Sequence, residues 1–301
     1  MLIQSLLLAG FLITGACTKE ETTDDTTTTA ASTQKDVAYA SVSSAQKMDI
    51  YMPEGDGPFP AVILIHGGAF LGGSKSDEAS NAAVLNAAGY VAVSINYRLS
   101  GEAKFPAQIE DCKTAVRFIR ANAAKYKINA DKIGSWGASA GGNLSALLGT
   151  TGAVSELEGS ALGNEAYSSA VLAAVDWFGP INFLTMDSEA TALGFTINTN
   201  SSSSPESKLM GAAVQTIPDA VAKANPSSYI SADDAAFFIQ AGSVDRNIPY
   251  TQSRNFYQAL QVVKGSDANY ELLEGAGHGG SQFSASANLA KVIAFFDKYL
   301  K

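Results

Sequence analysis

The sequence predicts an α/β fold: a mostly parallel, doubly wound sheet with helices on both of its faces. The first observation is a set of short, β-rich apolar runs, such as Ala61–Ile65 and Tyr90–Ile95, which do not alternate with polar residues. Such runs are typical of strands buried on both faces. The second is that segments with helical spacing separate these runs. The third is composition, since 301 residues with 46% apolar side chains can bury a sizeable core.

The predicted elements follow in chain order, beginning with an edge strand in which apolar and polar side chains alternate. The predicted strands are 47–52, 61–65, 90–95, 133–136, 171–175, 237–240 and 270–273. The predicted helices are 77–88, 105–126, 139–149, 249–263 and 283–299. Residues 181–226 break the alternation, so we expect a small insertion after the sixth strand of the sheet, either a cap or a plain surface excursion.

The first 36 residues differ in composition from the rest of the chain. The apolar run 2–13 is too short to span a bilayer, and small residues lead from it to Cys17, which indicates a signal peptide over 1–17 with a lipoprotein-like cysteine. The alternative is an ordinary cleaved leader in which Cys17 is incidental. The Thr-, Asp- and Ala-rich segment 18–36 has little to bury and is predicted to be a disordered tether. We therefore expect an exported protein, either lipid-anchored at a bacterial outer membrane or cell surface, or periplasmic or secreted.

Charge and cysteine content exclude several classes of partner and site. The formal net charge is −9 and no basic stripe is present, which argues against a nucleic-acid partner. The two cysteines, Cys17 and Cys112, form no CxxC pattern, so a zinc site is not expected. Cys112 lies in a helical pattern and is predicted to be a small buried residue.

Residues 137–141, Gly-Ala-Ser-Ala-Gly, fit the Gly-x-Ser-x-Gly nucleophile-elbow pattern. They follow a predicted strand and precede an apolar helix, which is the context that the pattern requires. Ser139 is therefore the predicted nucleophile of a serine hydrolase. The N–H of Ala140 at the helix start, with those of Gly68 and Ala69 in a second glycine-rich loop, are the predicted oxyanion-hole donors.

The chain has only two histidines. His278 lies in a glycine-rich loop after the last predicted strand and is the predicted base. His66 ends a buried strand and is better suited to shaping the oxyanion loop. Asp245 is the favoured acid, because it follows a strand and lies between nucleophile and base in the chain. The rival acids are Asp176, Asp219, Asp233 and Asp234.

These motifs resemble those of α/β-hydrolase carboxylesterases, close to the branch of acetyl and feruloyl carbohydrate esterases. The resemblance covers nearly all of 40–300 and includes His-Gly-Gly at 66–68, the elbow at 137–142 and Asp-Trp-Phe-Gly-Pro at 176–180. It implies the α/β-hydrolase fold with a catalytic domain over 37–301. It also implies a triad of Ser139, His278 and Asp245 that works through an acyl-enzyme, with no metal or cofactor.

The expected substrates are short-chain or aromatic acyl esters, either small molecules or carbohydrate-linked. Candidate pocket walls are Phe70, Trp177 and Phe178, although each suits the core as well. A second hypothesis is an arylformamidase or peptidase on the same fold. A third, a non-catalytic binding protein, is disfavoured because all three triad residues are present. The only membrane contact that the sequence predicts is a lipid on Cys17. The sequence does not indicate the oligomeric state.

Overall fold

The computed structural model describes residues 31–301. The predicted signal peptide at 1–17, the lipidation candidate Cys17 and the tether up to residue 30 lie outside the described residues. Within 31–301, no helix combines the length and the apolar character that a membrane crossing needs.

In the described part of the chain, eight strands form one mixed sheet. The strands are β1 (Ser32–Ala38), β2 (Lys47–Met52), β3 (Phe59–Ile65), β4 (Val91–Ile95), β5 (Ile128–Ala138), β6 (Ala173–Trp177), β7 (Ala236–Gly242) and β8 (Ala268–Leu273). Their order in the sheet is β1-β2-β4-β3-β5-β6-β7-β8. β2 runs antiparallel to β1 and β4, and every other neighbouring pair is parallel. The predicted doubly wound, mostly parallel sheet is confirmed.

Helices cover both faces of this sheet. They are α1 (Ala79–Ala87), α2 (Ala107–Ala121), α3 (Ala140–Thr150), α4 (Met186–Ala192), α5 (Pro205–Met210), α6 (Pro218–Ala222), α7 (Tyr250–Lys264), α8 (Ser281–Ser284) and α9 (Ser286–Leu300). One hydrophobic cluster joins the sheet to α2, α3 and α7, and a second joins the other face to α1 and α9. α4, α5 and α6 belong to the insertion after β6.

The central strand β3 illustrates why the apolar runs do not alternate. Val62 and Leu64 belong to one cluster, whereas Ile63 and Ile65 belong to the other, and all four are fully buried. Successive side chains of a strand point to opposite faces. A strand covered by helices on both sides therefore needs apolar residues at every position.

β1 is part of the folded sheet, so the prediction of a disordered tether is wrong for residues 32–36. β1 pairs with β2 at the edge of the sheet, and most of its side chains are exposed. An edge strand without an apolar face has the composition of a linker, which explains the error. Its position is fixed by backbone pairing and by Lys75, whose ammonium lies 3.1 Å from Asp36 and 2.7 Å from Asp49.

The order of the strands creates a crevice at the carboxyl ends of β3 and β5. The chain leaves β3 for its neighbour β4 on one side, and the next strand, β5, lies on the other side of β3. Ligands bind at such switch points in open α/β sheets. The loop after β3 and the turn that carries Ser139 both lie at this point.

Candidate active site

The turn between β5 and α3 carries Ser139. Its φ of +56° is a left-handed conformation that is strained for a residue with a side chain. The N–H of Ser139 donates to the Trp177 carbonyl at 2.8 Å, which fixes the turn. A Cβ on Gly141 would lie 2.0 Å from the Ile65 carbonyl oxygen, so α3 can begin this close to β3 only with glycine there. The result is the sharp strand-to-helix turn of a nucleophile elbow.

Two hydrogen bonds join Ser139, His278 and Asp245. The distance from His278 Nε2 to Ser139 Oγ is 2.8 Å, and that from His278 Nδ1 to Asp245 Oδ2 is also 2.8 Å. The buried Asp245 carboxylate accepts further hydrogen bonds from the N–H groups of Asn247 at 2.7 Å and Ile248 at 3.0 Å. A carboxylate only accepts, so Nδ1 carries the imidazole proton and Nε2 is left to accept the serine proton.

The loops that carry the acid and the base are fixed to each other through their backbones. Asp245 follows β7 and His278 follows β8. The Val244 N–H donates to the Ala276 carbonyl at 3.0 Å. A Cβ on Gly242 would lie 2.4 Å from that same Ala276 carbonyl oxygen, which shows how closely the two segments pass. The separation between acid and base is therefore set by the backbone.

The loop after β3 carries the predicted oxyanion-hole donors. Ala69, with φ +57°, and Ala140 line the same cavity as Ser139. Gly68 belongs to the turn of this loop, but it is not part of the cavity lining. The N–H of Ala140 opens α3, where the first N–H groups have no acceptor within the helix. Of the three predicted donors, Ala69 and Ala140 are thus the two whose residues line the cavity that contains Ser139.

His66 has a structural position behind the same loop. It is almost fully buried, and its Nδ1 lies 2.7 Å from the Gly67 carbonyl oxygen. Its ring stacks on Tyr97 at a centroid distance of 4.4 Å. Burial lowers the pKa of the His66 imidazole, so the ring is neutral at pH 7. These contacts agree with its assignment to the shape of the loop and not to proton transfer.

A cavity of about 560 Å³ opens at Ser139 and His278. Its apolar lining includes Phe70, which the sequence predicted, together with Pro180, Met186, Ile197 and Ile248. Its polar lining consists of Asn198, Thr199, Ser201, Ser203, Ser204, Glu206, Arg246 and Asn247. Among residues 31–301, no three His, Cys, Asp or Glu side chains are grouped in a way that could hold a metal ion.

The insertion at 181–226 forms one side of this cavity and is anchored to α7. The Gln252 side-chain oxygen accepts hydrogen bonds from the N–H groups of Ile181 at 2.9 Å and Asn182 at 2.6 Å. The Gln252 amide donates to Glu189 at 2.8 Å, and the Thr251 hydroxyl donates to the same carboxylate. The insertion therefore packs over the carboxyl edge of the sheet as a small cap.

Trp177 and Phe178 do not line the cavity. Trp177 is 5% exposed and packs edge-on against Trp136, at 4.8 Å between ring centroids, within the core on the α9 face. The prediction that it contacts substrate is wrong, because its side chain points into that core. Phe178 packs against the His278 ring at 4.8 Å and against Phe283 at 4.6 Å, so it supports the histidine.

Sequence reasoning missed most of the polar lining of the cavity. The Asn/Ser-rich run at 198–204 lies within the predicted insertion at 181–226, and no role in the site was predicted for it. Arg246 follows Asp245 directly, and this adjacency was a signal that it lies near the site. Glu206 had no such signal, because nothing in the local pattern places a residue of α5 opposite Ser139.

Residues 48–260 match the BD-FAE family. Among curated proteins, Esterase LipC of Mycobacterium tuberculosis (strain ATCC 25618 / H37Rv) is 31% identical over 227 residues, which are 74% of this chain and 53% of LipC. The chain spans about half the length of the curated relatives that it matches over most of its own length.

Two solved structures are similar in both fold and sequence. A truncated form of a carbohydrate esterase from gut microbiota is 34% identical with a TM-score of 0.82, and the match covers 90% of this chain and 96% of that one. A bifunctional GH43-CE protein of Bacteroides eggerthii is 37% identical with a TM-score of 0.79. That match covers 88% of this chain and 35% of the bifunctional protein.

Proposed function

Because this chain belongs to the BD-FAE family of α/β-hydrolases, we propose that it is a serine carboxylesterase. Its substrates are short-chain or aromatic acyl esters, with carbohydrate-linked esters as the natural candidates. The observation that carries the proposal is the hydrogen-bonded series from Ser139 through His278 to Asp245, with 2.8 Å at each link. The esterase names of the similar proteins favour ester over amide or formamide bonds.

The acylation step begins with attack of Ser139 Oγ on the ester carbonyl carbon, while His278 Nε2 takes the hydroxyl proton. Asp245 keeps the imidazole oriented and stabilises its cationic form. Negative charge develops on the carbonyl oxygen, and the N–H groups of Ala69 and Ala140 are its proposed hydrogen-bond donors. The imidazolium then gives its proton to the departing alcohol oxygen, and the acyl group stays on Ser139 as an ester.

Deacylation repeats the sequence with water in place of the alcohol. His278 Nε2 takes a proton from the water as its oxygen attacks the acyl carbon. The second tetrahedral intermediate uses the same backbone donors. When it collapses, Ser139 Oγ regains a proton from the imidazolium, and the carboxylic acid leaves the cavity.

The test compares hydrolysis of p-nitrophenyl acetate, butyrate and octanoate by the protein and by Ser139→Ala. We expect kcat to fall by at least about 10⁴-fold in the variant, because the nucleophile and its proton donor are lost together. The relative rates on the acetyl, butyryl and octanoyl esters rank the acyl lengths that the cavity accepts. Circular dichroism controls for folding, and unchanged turnover by Ser139→Ala contradicts the proposal.

We also propose that the protein is exported and attached to a membrane by a lipid on Cys17. The support comes from the sequence alone: an apolar run at 2–13, small residues before the cysteine and a polar segment after it. On this proposal the catalytic domain acts outside the cytoplasm, where polymeric esters are accessible.

A further inference from the structure

One side of the cavity consists of hydrogen-bonding side chains from the insertion. We call Asn198, Ser201, Ser203 and Glu206 the polar wall. All four line the cavity that contains Ser139. A site for purely aliphatic esters would have no use for this wall, because an apolar ligand cannot replace the water that such groups bind.

Glu206 is the most unusual member of the polar wall. The residue is only 7% exposed, and within 31–301 no lysine or arginine forms an ion pair with it. Burial, reinforced by the nearby charge of Asp187, raises the pKa of the carboxyl, and only the Ser204 side chain and the residue's own backbone oppose this. A carboxyl group can accept more hydrogen bonds than these two, and a ligand in the cavity that Glu206 lines can supply further donors.

The polar wall is held in place before any ligand binds. The Thr199 carbonyl accepts hydrogen bonds from the hydroxyls of Ser204 at 2.5 Å and Ser207 at 2.8 Å. The Thr199 N–H in turn donates to Asp187 at 2.8 Å. These bonds fix the turn that leads into α5, and α5 carries Glu206. A preorganised wall of this kind contributes to selectivity at little ordering cost.

The cavity contains a guanidinium group, Arg246, as well as the Glu206 carboxyl, so its charges do not single out a cationic ligand. Arg246 lines the same cavity, its guanidinium lies 5.0 Å from the Phe195 ring centroid, and it has no carboxylate partner among residues 31–301. A cationic substrate would face this positive charge. Sugar hydroxyls can donate to Glu206 and can both donate to and accept from Asn198 and Ser201.

We propose that Glu206 is a specificity-determining residue that accepts hydrogen bonds from hydroxyl groups on the alcohol part of the substrate. The bound polyol lies along the polar wall while its acyl group reaches Ser139. This inference rests on the proposed esterase function and goes beyond it, because it assigns the choice of alcohol to one carboxyl group of the insertion.

The test uses two acetyl esters that differ only in the alcohol: p-nitrophenyl acetate and a monoacetylated methyl β-xylopyranoside. For Glu206→Gln we expect kcat/KM on the acetylated sugar to fall by about 10- to 100-fold, mainly through KM, because a charged acceptor is lost. Turnover of p-nitrophenyl acetate should change by less than about twofold, since that alcohol has no hydroxyl group to bind. Glu156→Gln removes a carboxylate whose side chain is 72% exposed and that lies outside the cavity lining, so it serves as the matched control.

The role of Glu206 is overturned if folded Glu206→Gln loses kcat/KM equally on the two esters, or loses it on neither. A wild-type protein that hydrolyses p-nitrophenyl acetate but not the acetylated sugar also overturns it, while the esterase function stands. A different result would contradict the proposed esterase function itself: Ser139→Ala would then still hydrolyse both esters.

Discussion

Asp176 is a carboxyl group whose burial makes folding depend on pH. It lies in β6, fully shielded from solvent, and its Oδ1 accepts a hydrogen bond from the Gly179 N–H at 2.8 Å. Its Oδ2 has no partner in the described part of the chain. Burial raises the pKa of Asp176 to about 7, far above its ordinary value of 3.8. The folded protein therefore keeps a proton that the unfolded chain loses at lower pH.

This difference predicts how Asp176→Asn changes stability with pH. Below pH 3.8 the carboxyl is protonated in both states, so ionisation costs the fold nothing. Above that value the unfolded chain ionises first, and wild-type stability falls by about 1.4 kcal/mol per pH unit until the pH reaches the folded pKa. Asp176→Asn carries an uncharged amide and does not lose this stability. The free energy of unfolding of the variant, relative to that of wild type, should therefore rise by about 3 kcal/mol between pH 4.5 and 7.5.

Urea denaturation at those two pH values measures the gain. The exposed carboxylate Asp233 provides the control, because replacing a solvated surface side chain in Asp233→Asn should change the free energy of unfolding by no more than about 0.5 kcal/mol. A stability difference between Asp176→Asn and wild type that is independent of pH would falsify the assignment of a protonated Asp176.

Single site residues could be predicted where the local backbone geometry restricts the neighbouring residue types. Ser139 and His278 could be found because a strained elbow and a glycine-rich loop leave short sequence patterns. Asp245 was preferred to Asp176 on chain order and loop context, and the 2.8 Å contact with His278 agrees with that choice. Trp177 was misplaced because a strand pattern gives alternation of sides without saying which side faces the cavity.

At the scale of elements, the approach of α3 to β3 depends on one missing side chain. In Gly141→Ala the new Cβ would meet backbone oxygen atoms of Ile65 at 2.0 Å and His66 at 2.8 Å, and backbone cannot move aside cheaply. We expect esterase activity to be lost and the free energy of unfolding to fall by at least about 2 kcal/mol. Activity assays with chemical denaturation measure both effects.

Gly101→Ala is the matched control for this prediction. A Cβ on Gly101 would have no heavy atom within 4 Å, and its φ is not positive. Its activity and stability should match wild type. Wild-type stability in Gly141→Ala would mean that α3 can shift away from β3 without cost.

Elements differed in how well sequence patterns identify them. The strands buried on both faces are marked by unbroken apolar runs, and the long helices α2, α7 and α9 are marked by a helical periodicity that extends over several turns. The insertion is made of short helices joined by polar turns, and its order comes from hydrogen bonds such as those to Thr199, which no periodicity records. The edge strand β1 was missed because it is exposed on most of its length.

At the scale of the whole molecule, the proposed lipid anchor can be tested independently of catalysis. In a bacterial host that processes lipoproteins, the full chain should incorporate labelled palmitate and sediment with membranes. Cys17→Ser should abolish both, because the thiol is the only acceptor at that position, while kcat/KM on p-nitrophenyl acetate stays unchanged. Cys112→Ser should keep both the label and the membrane association, since that residue is buried in the domain. Label retained by Cys17→Ser contradicts the anchor.

The direction of β1 in the sheet determines where a lipid-anchored chain would join the catalytic domain. β1 is antiparallel to β2, and β2 is antiparallel to β4, so β1 runs in the same direction as the parallel strands. Ser32 therefore lies at the amino ends of those strands, whereas Ser139 and the cavity lie at their carboxyl ends. The segment that precedes Ser32 therefore joins the domain at the end of the sheet opposite the cavity. On the proposed lipid anchor, attachment at this end of the sheet would leave the mouth of the cavity unobstructed for a bulky polymer.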